Sequence, residues 1–253
     1  MNRSGFITGM IAFFVSAPLQ ADVVGFQIGS GIWQPDYSGS FALDGPTQGT
    51  VIDIERIGFD HESHNDLWLK LEHFIPIVPN FKLSSVGFDA TVSTVLSNDI
   101  VYGGEMFSAN IDTRFDMSST ELTFYYELLD NWINLDAGFT FRQFDGQSSI
   151  SGTTSGTGTT VSVREDLDFI MPLFYLDARI DLPFTGFFVD STMNTISTSD
   201  DVISDINVSL GYESEPGLGA RLGYRTQELD FSESDFDADL EFKGTYLNLF
   251  YHF

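Results

Sequence analysis

Thr245-Tyr246-Leu247-Asn248-Leu249-Phe250-Tyr251-His252-Phe253 alternates without a break. Successive side chains of an extended chain point to opposite sides. Thr245, Leu247, Leu249, Tyr251 and Phe253 therefore share one face, and Tyr246, Asn248, Phe250 and His252 share the other. The same period recurs upstream. Ile133, Leu135, Ala137, Phe139 and Phe141 oppose Asn134, Asp136, Gly138, Thr140 and Arg142. Phe174, Leu176, Ala178, Ile180 and Leu182 oppose Tyr175, Asp177, Arg179 and Asp181. Ile206, Val208, Leu210 and Tyr212 oppose Asn207, Ser209, Gly211 and Glu213, and Leu218, Ala220, Leu222 and Tyr224 oppose Gly219, Arg221, Gly223 and Arg225. Many segments of about 10 residues with this dyad pattern are the signature of strands that cross a bilayer as a closed barrel.

Connection lengths carry equal weight. Short turns fall at Val78-Pro79-Asn80, Leu129-Asp130-Asn131, Pro183-Phe184-Thr185 and Glu215-Pro216-Gly217. Longer polar stretches, read as loops, run from Gln34 to His64, Ser97 to Thr113, Asp145 to Arg164, Ser199 to Ser204 and Asp230 to Asp237. Outer-membrane barrels have short periplasmic turns, longer outer loops and an even number of strands. Nine connections give ten strands, expected near 23–33, 66–76, 81–95, 115–127, 133–144, 166–182, 187–198, 205–213, 218–229 and 238–253. The fold expected is all-β, a transmembrane antiparallel up-and-down β-barrel of about 10 strands. Twelve strands is an alternative, since Val51 to Ile54 alternates inside the first loop, and eight is another. A soluble exported β-sandwich with its apolar faces turned inward is the competing architecture. The uncharged Gly-Ser-Thr run from Gly146 to Val163 reads as a mobile outer loop.

Composition narrows the class further. The 253 residues include 25 Phe, carry a net charge of −26 and contain no Cys; mean hydropathy is +0.01. Several helical spans of about 20 apolar residues are absent, so a polytopic helical protein is excluded. Cysteine nucleophiles, disulfides and Cys-based zinc sites are excluded with the cysteines. So acidic a chain does not suit nucleic acid, whose phosphates need Lys and Arg. Met1 to Ala21 follows the plan of a secretory signal peptide: Arg3, an apolar run from Phe6 to Val15, and a small residue at Ala21. Cleavage there would leave residues 22–253 as the barrel.

If the apolar faces meet lipid, the opposite faces line the interior. That assigns Lys70, Arg142, Arg179, Arg221 and Arg225 inward, with Glu72, Asp89, Glu121, Glu127, Asp136, Asp177, Asp181, Asp190 and Glu213. A barrel of this size is nearly filled by its own side chains, so these charges must be paired or hydrated. An interior charge network is one reading; a narrow cation-preferring channel or small-solute transporter is the other. Gly25, Gly29 and Gly31 on the inward face of the first strand suit close packing.

Enzymatic readings fare poorly. Of the four histidines, His61 and His64 lie in the one dense polar run, His61-Glu62-Ser63-His64-Asn65-Asp66. On a strand Ser63 and His64 face opposite ways, as do His61 and His64, so neither a nucleophile–base pair nor a metal pair forms locally; a hydrated loop edge is the expectation. Asp235, Asp237, Asp239 and Glu241 share a face but lack the glycine and ligand order of an EF-hand, so they read as solvated acidic surface. No catalytic, cofactor or metal residue is expected. Counting back from Phe253, Asp239 and Glu241 fall on the lipid-facing parity. Either the strand projects above the bilayer there, which is the reading favoured, or a bulge near Gly244 shifts the register.

Two stretches carry a family resemblance. The Gly-rich Val24 to Trp33 segment followed by Trp33-Gln34-Pro35-Asp36-Tyr37-Ser38-Gly39 resembles a family of uncharacterised proteobacterial outer-membrane proteins. Leu247, Leu249, Tyr251 and Phe253 resemble the terminal signal read by the outer-membrane assembly machinery. The His-x-Ser-Asn-Gly signature of outer-membrane phospholipases is missing. Omptin proteases are similar in strand number and acidic loops, but their Asp-x-His element has no match. The resemblance implies a Gram-negative outer-membrane barrel with a structural or interaction role, contacting membrane lipid and lipopolysaccharide, and it supplies no catalytic residues.

Overall fold

In the computed structural model, which describes residues 24–59, 62–199, 201–233 and 235–253, the chain folds as strands around one lumen. Ten strands close the cylinder: β1 (Val24–Leu43), β3 (His64–His73), β4 (Asn80–Val86), β8 (Ser119–Asp130), β9 (Ile133–Thr154), β10 (Thr160–Asp181), β11 (Phe187–Ser197), β12 (Val202–Glu213), β13 (Leu218–Glu233) and β14 (Phe236–His252). All neighbours are antiparallel. The ring closes because β1 pairs with β3 on one edge and with β14 on the other. Closure leaves no open edge in the bilayer and excludes the two-sheet sandwich. Four further strands decorate the outer end: β2 (Ile52–Asp53), β5 (Asp89–Val95), β6 (Ile100–Tyr102) and β7 (Glu105–Asp116). The one-turn helix α1 (Ile54–Ile57) is capped by Asp53 and ends at Gly58, whose φ of 79° suits glycine.

The strand expected over 81–95 is broken in two. β4 stops at Val86, Gly87 and Phe88 turn the chain, and β5 continues above, paired with β7. The inner edge of β9 is consequently shared, pairing with β8 below and with β7 above. The segment Met1 to Ala21, expected as a signal peptide, and His61 lie outside the described residues.

The strands run much further outward than the loop assignments allowed. β1 continues to Leu43, and β9 and β10 form a hairpin turning only at 155–159. The segment from Gly146 to Val163, expected as a mobile loop, is therefore mostly paired sheet, with Ile150 fully buried in the lumen. The reason lies in polarity. Near the periplasmic end the outward positions are apolar, among them Ile28, Phe139, Leu176, Val208, Leu222 and Leu249. Further out the sense reverses: Leu229, Phe231, Phe236, Leu240 and Phe242 point inward and are buried, while Asp230, Asp237 and Asp239 point outward. The β1–β14 register is continuous from Gln27↔His252 to Leu43↔Phe236, so no bulge occurs near Gly244. Asp239 and Glu241 keep their parity and project above the bilayer.

That outer wall carries an unfavourable arrangement. Glu228 lies directly opposite Glu241, and Asp230 directly opposite Asp239, on one outward face. Like charges directly opposed across antiparallel strands destabilise the pair. Asp239→Asn is expected to raise stability by about 0.2–1 kcal/mol, read as a higher midpoint in chemical unfolding. The gain should shrink as salt is added, and a variant less stable than the parent at low salt would contradict it.

Candidate functional site

The lumen is layered, and the layering follows from strand position. Nearest the periplasmic turns, Lys70 on β3 contacts Glu72 at 2.7 Å and Asp136 on β9 at 3.0 Å. The Tyr125 hydroxyl donates to Glu72 at 3.1 Å. Across the lumen, Arg179 on β10 contacts Asp181 at 2.8 Å and Glu213 at 2.9 Å, and His252 Nδ1 lies 3.0 Å from Glu213. Asp177 accepts from Thr192.

Above them sits an aromatic layer, in which Trp68, Phe188 and Phe250 are buried together. Glycine makes the room: a Cβ on Gly29 would stand 2.4 Å from the Trp68 ring, and one on Gly219 would stand 2.1 Å from Phe250. Gly31 is as tight against Asp66, while Gly25 leaves 3.2 Å to Glu72. Arg221 threads this layer, 4.7 Å from the Phe250 ring centroid, and its Nη1 reaches Asp190 at 3.1 Å. Trp68 Nε1 donates to Asn248, whose amide donates to Asp66.

The central layer is the most deeply buried. Arg142, 1% exposed, lies 2.7 Å from Glu121 and 2.6 Å from Asp205. Arg225 grips the same Asp205 through Nε at 2.8 Å and Nη2 at 2.6 Å, and stacks 4.7 Å from Trp33. The grip is two-pronged, which suits a guanidinium against a carboxylate. The Arg142 contact is less complete: its Nε and Nη1 are buried without hydrogen-bond partners, and so is Glu121 Oε1, close to the arginine but poorly aligned with it.

The outermost layer is apolar. Trp33, Phe41, Phe88, Phe107, Phe115, Phe144, Phe236 and Phe242 fill the lumen with Ile54, Ile150, Leu229 and Leu240. Phe88 lies 4.7 Å from Phe242, and Phe41 stacks on Phe115 at 5.8 Å. Burial above the bilayer pushes the Tyr37 and Tyr102 hydroxyls well above the ordinary tyrosine range, with the carboxylate of Glu62 adding to the effect at Tyr37. Tyr102 donates to Ser148 at 2.7 Å.

Every basic residue assigned inward from the sequence does line the lumen, with its carboxylate partner in reach. Asp89 does not. It faces outward on β5, paired with Arg114 at 2.9 Å, because the inward parity passes through Phe88. His64 is also misread as a hydrated loop edge: it is buried, stacked 4.2 Å from Phe88 and hydrogen-bonded to the Tyr37 hydroxyl at 2.5 Å. Lys82, Asp66 and Asp205 are lumen residues the sequence reading passed over. Parity offered the signal for Asp205, two positions before Asn207 on an assigned inward face.

A closed antiparallel cylinder with an apolar girdle around ionic contents defines an outer-membrane β-barrel. No protein-family model matches the chain, and no curated protein matches it in sequence. Among solved structures it is similar to the outer membrane protease OmpT of Escherichia coli, with a TM-score of 0.44 and 11% identity over 90% of this chain and 97% of that one. It is similar also to Ail, the attachment invasion locus protein of Yersinia pestis, with a TM-score of 0.37 and 13% identity over 91% and 99%. A FadL homologue of Pseudomonas aeruginosa gives 0.34 and 11% over 92% and 90%. Likeness at this level stops at the barrel fold, and no residue roles pass across it.

Proposed function

We propose that the protein is a closed, non-conducting barrel of the Gram-negative outer membrane with a structural or interaction role. The observation that carries this reading is the packed aromatic core across the outer half of the lumen, in which Phe41, Phe107, Phe115, Phe144, Phe236 and Phe242 are each 1% exposed or less. Close-packed interiors hold few voids larger than a water molecule, so a solute would have to displace this core to cross. The competing reading, a narrow cation-preferring channel or small-solute transporter, draws on the inward carboxylates below, and the core stands in its path. Reconstitution into planar bilayers tests the choice. The expected record matches a protein-free membrane; unitary steps with a cation-selective reversal potential would favour the channel.

On the same reading the apolar belt contacts membrane lipid, the acidic outer wall faces lipopolysaccharide, and no nucleic acid or cofactor is involved. Leu247, Leu249, Tyr251 and Phe253 form the outward-facing stripe offered to the assembly machinery. The chain acts without catalysis, and its kinship is with the proteobacterial outer-membrane family that Trp33 to Gly39 resembles.

A further inference from the structure

The periplasmic half of the lumen contains a cavity of about 470 Å³ whose rim is formed by Asp130, Gly186, Ser214 and Glu215 at the short turns. Its inner end is Trp68 with Lys82 and Arg221, which also border a smaller cavity of about 90 Å³ beyond. Most cations of the wall are engaged, Lys70 by Glu72 and Asp136, and Arg179 by Asp181 and Glu213. Lys82 is different. Among the described residues it makes no ion pair; it stands directly opposite Lys70 across the β3–β4 pair, with its Nζ 5.7 Å from the Trp68 ring. Arg221 approaches the same ring to 5.4 Å, and its Nε is buried without a partner. Two cations with spare donors thus flank one indole at the deep end.

At the mouth the balance reverses. Glu127, Asp130 and Glu215 line the cavity and make no ion pair among the described residues. A simple anion would have to pass this acidic rim, and a simple cation would meet Lys82 and Arg221 at the bottom. A molecule with an anionic end and a cationic end satisfies both.

We propose that this cavity binds a small zwitterion from the periplasm, a free amino acid or a di- or tripeptide, carboxylate inward on Lys82 and Arg221 and ammonium among the rim carboxylates. The volume lies within the range of about 300–1,000 Å³ usual for small-molecule pockets. Charge-assisted hydrogen bonds from Lys and Arg to a carboxylate supply the selectivity, and Trp68 gives an apolar wall between the charged ends.

Calorimetric titration of the full folded barrel in detergent with L-alanyl-L-alanine tests the proposal. Saturable binding is expected, weakened by roughly tenfold or more when the dipeptide is C-amidated or N-acetylated. Lys82→Gln should narrow the gap between the free dipeptide and its amide, with Arg221 holding the remainder, whereas Lys82→Arg should keep it. Absence of saturable binding, equal binding of the amide by the parent protein, or undiminished discrimination by Lys82→Gln would each overturn it. Should Lys82→Gln fail to give the heat-modifiable folded form, the comparison of free and amidated dipeptide on the parent decides alone.

Discussion

Arg142→Met is expected to lower the unfolding free energy of the barrel by about 3 kcal/mol. Breaking a buried ion pair by removing one partner costs about 3–5 kcal/mol, because the other charge is left without compensation. Here the loss falls on Glu121. Asp205 keeps the two-pronged grip of Arg225, whereas among the described residues Glu121 has only Arg142 within ion-pair distance. The arginine's own Nε and Nη1 are unpartnered, so removing it also relieves some desolvation, and this sets the figure at the lower end of the range. The double variant Arg142→Met/Glu121→Leu should recover most of the loss, since no lone charge remains. Denaturant unfolding followed by tryptophan fluorescence and by heat-modifiable migration gives the numbers. A single variant as stable as the parent, or a double no better than the single, would show that the pair is hydrated rather than sealed.

Much of this was legible in the sequence. Period-two alternation gave the barrel, the short turns gave ten strands, and parity alone assigned Lys70, Arg142, Arg179, Arg221 and Arg225 to the interior. Alternation fixes which residues share a face, and it does so wherever a strand stays regular. It does not say which face is inside once the solvent changes. Asp89 is assigned inward, but the buried parity runs unbroken through Ser84, Phe88 and Ala90 across the bend, so Asp89 faces out. The same holds for strand length. Reading the apolar face as the lipid face ends each strand at the bilayer surface, so Gln34 to Leu43, Gly146 to Thr154 and Asp230 to Glu233 looked like loop although their strand pairing continues. Above the membrane the outer face meets water, and the apolar residues belong inside, as in any soluble sheet with one buried side.

The molecule therefore joins two physical regimes on continuous strands. In the bilayer band the interior holds the ionic groups, where carboxylates and guanidinium groups neutralise one another and glycines admit aromatic rings. Above it the wall encloses a hydrophobic core into which Ile52, Ile54, Ile57 and Phe59 pack from the segment around α1, with acidic side chains outside. The zwitterion capture proposed above belongs to the first regime and the proposed impermeability to the second, so the two are expected to be lost separately by mutation.

Phe242→Ala is expected to cost about 3–5 kcal/mol, the range for truncating a buried aromatic ring. Phe242 is fully buried, 4.7 Å from Phe88 and edge-on to Tyr37 at 5.6 Å, and these rings are themselves held by neighbours across the lumen. Rigid β-walls on every side leave the cavity little means of collapse, which favours the upper part of the range. Its position adds a discriminating test. Since the ring lies above the apolar belt, its burial is driven by exclusion of water and not by contact with acyl chains. The loss should be the same in vesicles of short-chain and long-chain phosphatidylcholine, although bilayer thickness changes the absolute stability through mismatch with the belt. A cost that tracked chain length would move Phe242 into the membrane band, and a cost below about 1 kcal/mol, typical of an ordinary substitution, would mean that the outer lumen is open and wet.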